Sequence, residues 1–218
     1  MVRFGRVSLF AGDDQVKRTI AVAGTIGAGK TSLVQWLVDR YGLVPFFEPN
    51  DENPYLADFY VDMPRWAFQS QVFFLAHKLK LHQDHEASPV PAVIDRTIYE
   101  DAEIFAKNLR DTGTLSARDW AVYETLYRHI KAQLRPPDLL IALDCDLRTT
   151  KKRIADRGRT MEKSIPDAYL RSLHKLYDDW FSSYDLGPIL RIDTSKLDYV
   201  ENLLDRLDLE GRLSAALR

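Results

Sequence analysis

The sequence predicts an α/β fold: a five-stranded parallel sheet flanked by helices on both faces. Three observations carry this. Short apolar runs recur along the chain with helix-patterned stretches between them. The runs are apolar throughout rather than alternating, as in strands covered on both faces. A glycine or an acidic residue closes each run, at Gly24, Glu48, Asp95, Asp144 and Asp193. Ligands in such sheets sit beyond the carboxyl ends of the strands, so these five residues are expected to converge on one edge.

The elements follow in order. "TIAVAG" (19–24) reads as a buried strand ending in a glycine turn. "TSLVQWLVDRYG" spaces Leu33, Trp36, Leu37 and Tyr41 as a helix face and stops at Gly42. "LVPFFE" (43–48) is a second strand. The stretch from Met63 to Glu86 is a long helix with Pro64 in its first turn. "PAVID" (91–95) is a third strand, and the helix that follows opens on Ser116 as its N-cap. "PPDLLIALDC" and "PILRID" (188–193) are the fourth and fifth strands. Between them "LRTTKKRIADRGR" and "PDAYLRSLHKLYDDWFSSY" are both helical in pattern. The domain reading is an extension over 1–18, one domain over 19–196, and an amphipathic helical segment over 197–218.

Composition narrows the function classes. The 218 residues are 45% apolar and 28% charged, ordinary for a soluble globular protein. A net charge of −2 provides no global basic field, so polymeric nucleic acid is not an expected partner. A single cysteine, Cys145, excludes an internal disulfide framework and fits a reducing, cytoplasmic compartment. No apolar run approaches the roughly 18–20 residues needed to span a bilayer, so no membrane association is expected. The first 18 residues have no long apolar stretch of the signal-peptide type.

"GTIGAGKT" (24–31) fits G-x-x-x-x-G-K-[ST] between a strand and a helix, the context that gives the motif its meaning. Backbone N–H groups of such a loop turn inward around phosphate oxygens, and the next helix adds its positive end. Gly24, Gly27, Ala28, Gly29, Lys30, Thr31 and Ser32 are therefore the candidate ATP contacts. Lys30 would bring a point charge and Thr31 a hydroxyl for Mg²⁺. A GTPase would need a glycine at the fourth place of "DRTI" and an Asn-Lys-x-Asp segment, and neither exists. A small kinase remains. Such an enzyme needs a cationic lid, because negative charge gathers on the moving phosphoryl group. Arg153, Arg157 and Arg159 in "KKRIADRGR" are the candidates, with the lid at about 153–165.

Five segments then carry a resemblance: "GTIGAGKTS", "EPNDENPYLADFY", "RWAFQSQVFFLAHKLK", "DRTIYEDAEIFA" and "RIADRGRTMEKSIPDAYLRSLHKLYDDW". Their types and order resemble the deoxynucleoside kinases, in particular the bacterial deoxyadenosine/deoxyguanosine kinase branch, from about residue 19 to 193. The resemblance implies a P-loop kinase fold with an arginine-bearing lid. It also implies ATP and Mg²⁺ as cofactors and transfer of a phosphoryl group to the 5′-hydroxyl of a deoxynucleoside for nucleotide salvage. Purine deoxynucleosides are slightly favoured and deoxycytidine is possible.

Residue by residue, the resemblance makes Glu48 the general base for the sugar hydroxyl. Arg96 would pair with Glu48 and touch the 5′-oxygen, and Asp95 would orient the metal with Thr31. Gln71 and Asp101 would read the base, Phe105 would stack on it, and Tyr60 would read the 3′-hydroxyl. Lys78 stands where animal relatives often carry an arginine beside the aspartate; it can pair with Asp101 but lacks the planar fork. "IPDAYL" places Ala168 where relatives often carry a glutamate. A homodimer packed through long helices is also implied. The alternatives are a nucleoside monophosphate kinase such as a thymidylate kinase, or a non-catalytic nucleotide-binding member of the family.

Overall fold

The computed structural model describes residues 18–47, 52–159, 165–197 and 202–216. Expectations placed on 1–17, on Glu48 and on the part of the lid at 160–164 lie outside these residues. Five strands form one parallel sheet, β1 (Thr19–Gly24), β2 (Val44–Phe46), β3 (Ala92–Asp95), β4 (Leu139–Asp144) and β5 (Ile189–Asp193). Their spatial order is β2-β3-β1-β4-β5. Every residue of β1 and β3 is buried, which is why these runs showed no alternation. β2 pairs with β3 alone, so Pro45 sits on an edge strand, where its missing N–H removes no ladder bond.

The pleat divides the core in two. Ile20, Val22, Ile141 and Leu143 face one side and meet Leu33, Val34 and Leu37 of α1 (Lys30–Tyr41). Ala21, Ala23, Leu140 and Ala142 face the other, and Leu170, Leu173 and Tyr177 of α8 (Asp167–Ser182) pack against them. Alanines on that side leave room for large side chains from the helices. The C-terminal segment adds α9 (Leu203–Ala216). Its Leu209 and Leu213 enter the same cluster as β1, and Arg40 Nε donates to Glu210 Oε1 at 2.7 Å.

Helix boundaries follow local chemistry. Gly42 ends α1, its N–H donating to Val38 O at 2.8 Å. Asp62 caps α3 (Met63–Ala87), accepting from Arg65 N–H, with Pro64 in the first turn as expected. Ser116 caps α6 (Ala117–Lys131), accepting from Asp119 N–H at 3.1 Å. Asp146 caps α7 (Leu147–Arg157) through Thr149 N–H at 2.7 Å.

Two helical regions were not read from the sequence as elements. One is α2 (Leu56–Val61), whose Leu56 and Phe59 are buried against α3. The other runs after β3 as α4 (Ile98–Glu100), a π-helical stretch (Asp101–Ala106) and α5 (Lys107–Asp111). The wider π turn sits at the residues the resemblance assigns to the base.

Candidate active site

Two cavities open beyond the carboxyl ends of the strands and share a floor. The larger, about 660 Å³, runs over the glycine loop and reaches Thr194–Leu197 after β5. The smaller, about 260 Å³, lies between that loop, α2, α3 and the π-helical stretch. Gly27, Lys30, Thr31, Arg157 and Arg159 line both. A group held on those residues is exposed to both chambers.

The loop obtains its shape from backbone freedom. Gly24 has φ 155°, and a Cβ there would stand 2.9 Å from Leu143 O. Gly27 has φ 79°, and a Cβ would stand 3.0 Å from Thr150 O. Any other residue at these two positions would be strained. Lys30 Nζ donates to Gly24 O at 2.8 Å and to Thr25 O at 3.0 Å, which holds the ammonium inside the loop. Thr31 Oγ1 donates to Asp95 Oδ2 at 2.8 Å, so the two expected metal-side groups meet. Ser32 and Gly29 line the larger cavity. Gly24 and Ala28 line neither and instead shape the loop from behind, Gly24 N–H donating to Glu100 and Ala28 O accepting from Thr194 and Arg153.

The three lid arginines divide. Arg157 and Arg159 face both cavities. Arg153 lines only the larger one, and its guanidinium donates to Thr194 O at 2.8 Å. It thus ties α7 to the loop after β5 as well as bringing charge.

Side chains build the smaller chamber. The buried stripe of α3 runs Ala67, Ser70, Gln71, Phe74, Leu75, Lys78, His82 and His85, a helical spacing that carries five polar side chains among the apolar ones. Gln71 lines the cavity, and its Oε1 is buried with no hydrogen-bond partner among the described residues. Such an acceptor is costly unless a ligand meets it. Lys78 Nζ donates to Asp101 Oδ1 at 3.2 Å, with both side chains 3% exposed. The pairing expected for the lysine is present. Phe105 is both core and wall: it packs with Ile104 and Tyr177 and also lines the chamber. Tyr60 lines it too. Ala168 is exposed at the start of α8, and Asp167 beside it accepts from Lys151 at 2.7 Å, pointing the carboxylate elsewhere.

Arg96 lines the smaller chamber in an unusual conformation. Its φ of 64° is in the left-handed region, the only such value for a non-glycine among the described residues. Its N–H donates to Val22 O at 3.0 Å, which pins the turn to β1. Its guanidinium lies 4.5 Å from the Phe105 ring centroid.

Sequence reasoning missed Tyr169, Phe59, Phe74 and Leu56, which all line the smaller chamber. They follow the apolar pattern of core residues, and no spacing separates wall from core. It also missed Glu100, which is wholly buried behind the loop. A signal existed there: "TIYE" is the capping-box pattern, and Thr97 and Glu100 do form that box.

A model of the deoxynucleoside kinase family matches residues 20–213. The chain belongs to the deoxynucleoside kinase family. Deoxyadenosine/deoxycytidine kinase of Bacillus subtilis (strain 168) is 37% identical over 196 residues, spanning 86% of this chain and 90% of that one. Deoxyguanosine kinase of Lactobacillus johnsonii is 34% identical over 213 residues, spanning 91% and 92%. Among solved structures, deoxyadenosine kinase from M. mycoides with the products dCMP and a flexible dCDP superposes with a TM-score of 0.80. It is 28% identical and covers 90% of this chain and 99% of that chain. The fold expected from the sequence is therefore the fold found, and the protein is an ATP-dependent deoxynucleoside kinase of the bacterial branch. The monophosphate-kinase and non-catalytic readings give way to it. Among the described residues no helix is long and apolar enough to cross a membrane.

Proposed function

We propose that this kinase moves the γ-phosphoryl group of Mg²⁺–ATP to the 5′-hydroxyl of purine deoxynucleosides, with deoxycytidine as a further acceptor. The observation that carries this is the shared floor: Lys30, Thr31, Arg157 and Arg159 line both chambers. A triphosphate in the larger chamber would end where a nucleoside in the smaller one begins. Holding two reactants in line in this way removes much of the entropic barrier to reaction.

In this reading Lys30 and the loop amides hold the outer phosphates. Thr31 and Asp95 offer a hydroxyl and a carboxylate, oxygen donors that suit Mg²⁺, which keeps waters and binds chiefly to phosphate. The metal would neutralise charge on the phosphates. Arg157 and Arg159 close over the same charge, and Arg96 holds the 5′-oxygen. Glu48 takes the hydroxyl proton; it follows Phe47, which lines the acceptor chamber. Gln71 and Asp101, the latter held by Lys78, read the base edge, Phe105 stacks on it and Tyr60 meets the 3′-hydroxyl. The unpartnered Gln71 Oε1 suits an amino group, which adenine and cytosine both carry. The names of the B. subtilis and L. johnsonii relatives support both a purine preference and a place for deoxycytidine.

The enzyme is further proposed to act in the cytoplasm in nucleotide salvage and to form a homodimer through α3 and α6, where Val122 and Leu126 of α6 are exposed. Light scattering across a concentration series tests the dimer. The activity is tested with ATP and each of the four deoxynucleosides, the product being identified as the 5′-monophosphate. Turnover of deoxynucleoside monophosphates, but of none of the nucleosides, would overturn the assignment.

A further inference from the structure

Glu100 is buried completely and lines neither chamber, yet it touches the structural parts of both. Its Oε1 accepts from Gly24 N–H at 3.2 Å and from the Tyr177 hydroxyl at 2.9 Å. Its Oε2 accepts from Thr97 N–H at 2.7 Å and from the Thr97 hydroxyl at 3.2 Å. Gly24 opens the phosphate loop. Thr97 follows Arg96, the residue held in the left-handed region, whose Nε lies 4.0 Å from Oε1. Asp101, the proposed base reader, is the next residue along.

Each carboxylate oxygen therefore faces a backbone N–H that can only donate. A carboxylate satisfies both at once. A glutamine of the same shape must turn its NH₂ toward one of them, which leaves two donors opposed in a dry site. Burial pushes the Glu100 carboxyl above the ordinary carboxylate range, and the charges of Arg96, Lys30 and Lys78 act against that rise.

We infer that Glu100 is a positioning residue that fixes the phosphate loop, the Arg96 turn and α8 to one another, so that donor and acceptor meet in register. It makes no contact a ligand could use, so its loss should leave binding nearly intact and slow the transfer itself. A misplacement of about 1 Å at reacting groups costs on the order of 10²-fold in rate.

The test is steady-state kinetics with ATP and deoxyadenosine on the full chain, with thermal melts run alongside. Folded Glu100→Gln is expected to lose about 10²-fold in kcat while both KM values stay within about threefold. Glu100→Asp, which keeps the charge, should recover about tenfold of that loss. A folded Glu100→Gln with unchanged kcat, or with raised KM and unchanged kcat, overturns the inference. If Glu100→Gln does not fold, Tyr177→Phe decides, since it removes one hydroxyl donor and leaves the carboxylate: kcat should fall about threefold, from the loss of one charge-assisted bond. An unchanged kcat there overturns the inference equally. The inference rests on Lys30 and Arg96 taking part in transfer. Failure of that reading would show separately, as an unmutated protein that does not phosphorylate deoxynucleosides in the same assay.

Discussion

The two chambers are made of different material. The donor side is a backbone loop ringed by cations: it is shaped by Gly24 and Gly27, closed by the start of α1 and by an ammonium resting on loop carbonyls, and faced by Arg153, Arg157 and Arg159. The acceptor side is side chain: Gln71 and Lys78 from α3, Asp101 and Phe105 from the π-helical stretch, Tyr60 from α2. A backbone cradle reads only phosphate, which every nucleoside triphosphate carries. A side-chain chamber can distinguish one base from another, and it can be rebuilt without disturbing the loop.

This contrast can be broken by substitution. The largest effect is expected from Glu48→Gln, which should lower kcat by about 10²–10⁴ while leaving ATP affinity nearly unchanged. Rapid-quench turnover and equilibrium binding check it, and unaltered turnover removes Glu48 as the base. Lys30→Ala should cost about 10²–10³, with weakened handling of the triphosphate and no change in the ranking of bases. Normal activity in that variant would undo the donor assignment. Asp101→Asn should do the reverse, redistributing activity among the four deoxynucleosides by about 10–100-fold, the range for a buried polar contact left unmet. A uniform loss across all four would make Asp101 purely structural.

The smallest effect concerns pH. Burial, aided by His85 and Lys78, pushes the His82 imidazole down to about 4. Because this folded value lies below the unfolded one of about 6.5, the unfolded chain binds the extra proton, and stability falls as pH drops from about 6.5 toward 4. Between pH 6.5 and 5.5 the loss should be about 1 kcal/mol, or about 2–4 °C in Tm. His82→Leu should flatten that part of the curve. An unchanged slope would show that His82 does not set it.

The same contrast governs what can be read from the chain alone. Strands buried on both faces announce themselves, and the glycine loop is legible because its chemistry is tied to spacing. Gln71 and Lys78 were legible through the family resemblance. Phe59, Phe74 and Tyr169 were not, because an aromatic against a ligand and an aromatic against a helix obey one pattern. Helix α2 escaped notice for a different reason: six residues give too few turns for a period to emerge. Glu100 explains itself locally as a cap, and only the fold brings Gly24 and Tyr177 to its other side.

The π-helical turn at Asp101–Ala106 has a consequence for anyone transplanting this pocket. In a regular α-helix, removing one residue turns everything after it by about 100°; a wider π turn holds about one extra residue within nearly the same arc. Trimming Ala102 or Glu103 would let the turn close into an ordinary α-helix with Phe105 and the residues after it kept near their present azimuth. What a designer must copy is the angular phase between Asp95 and Phe105, which a count of intervening residues does not preserve.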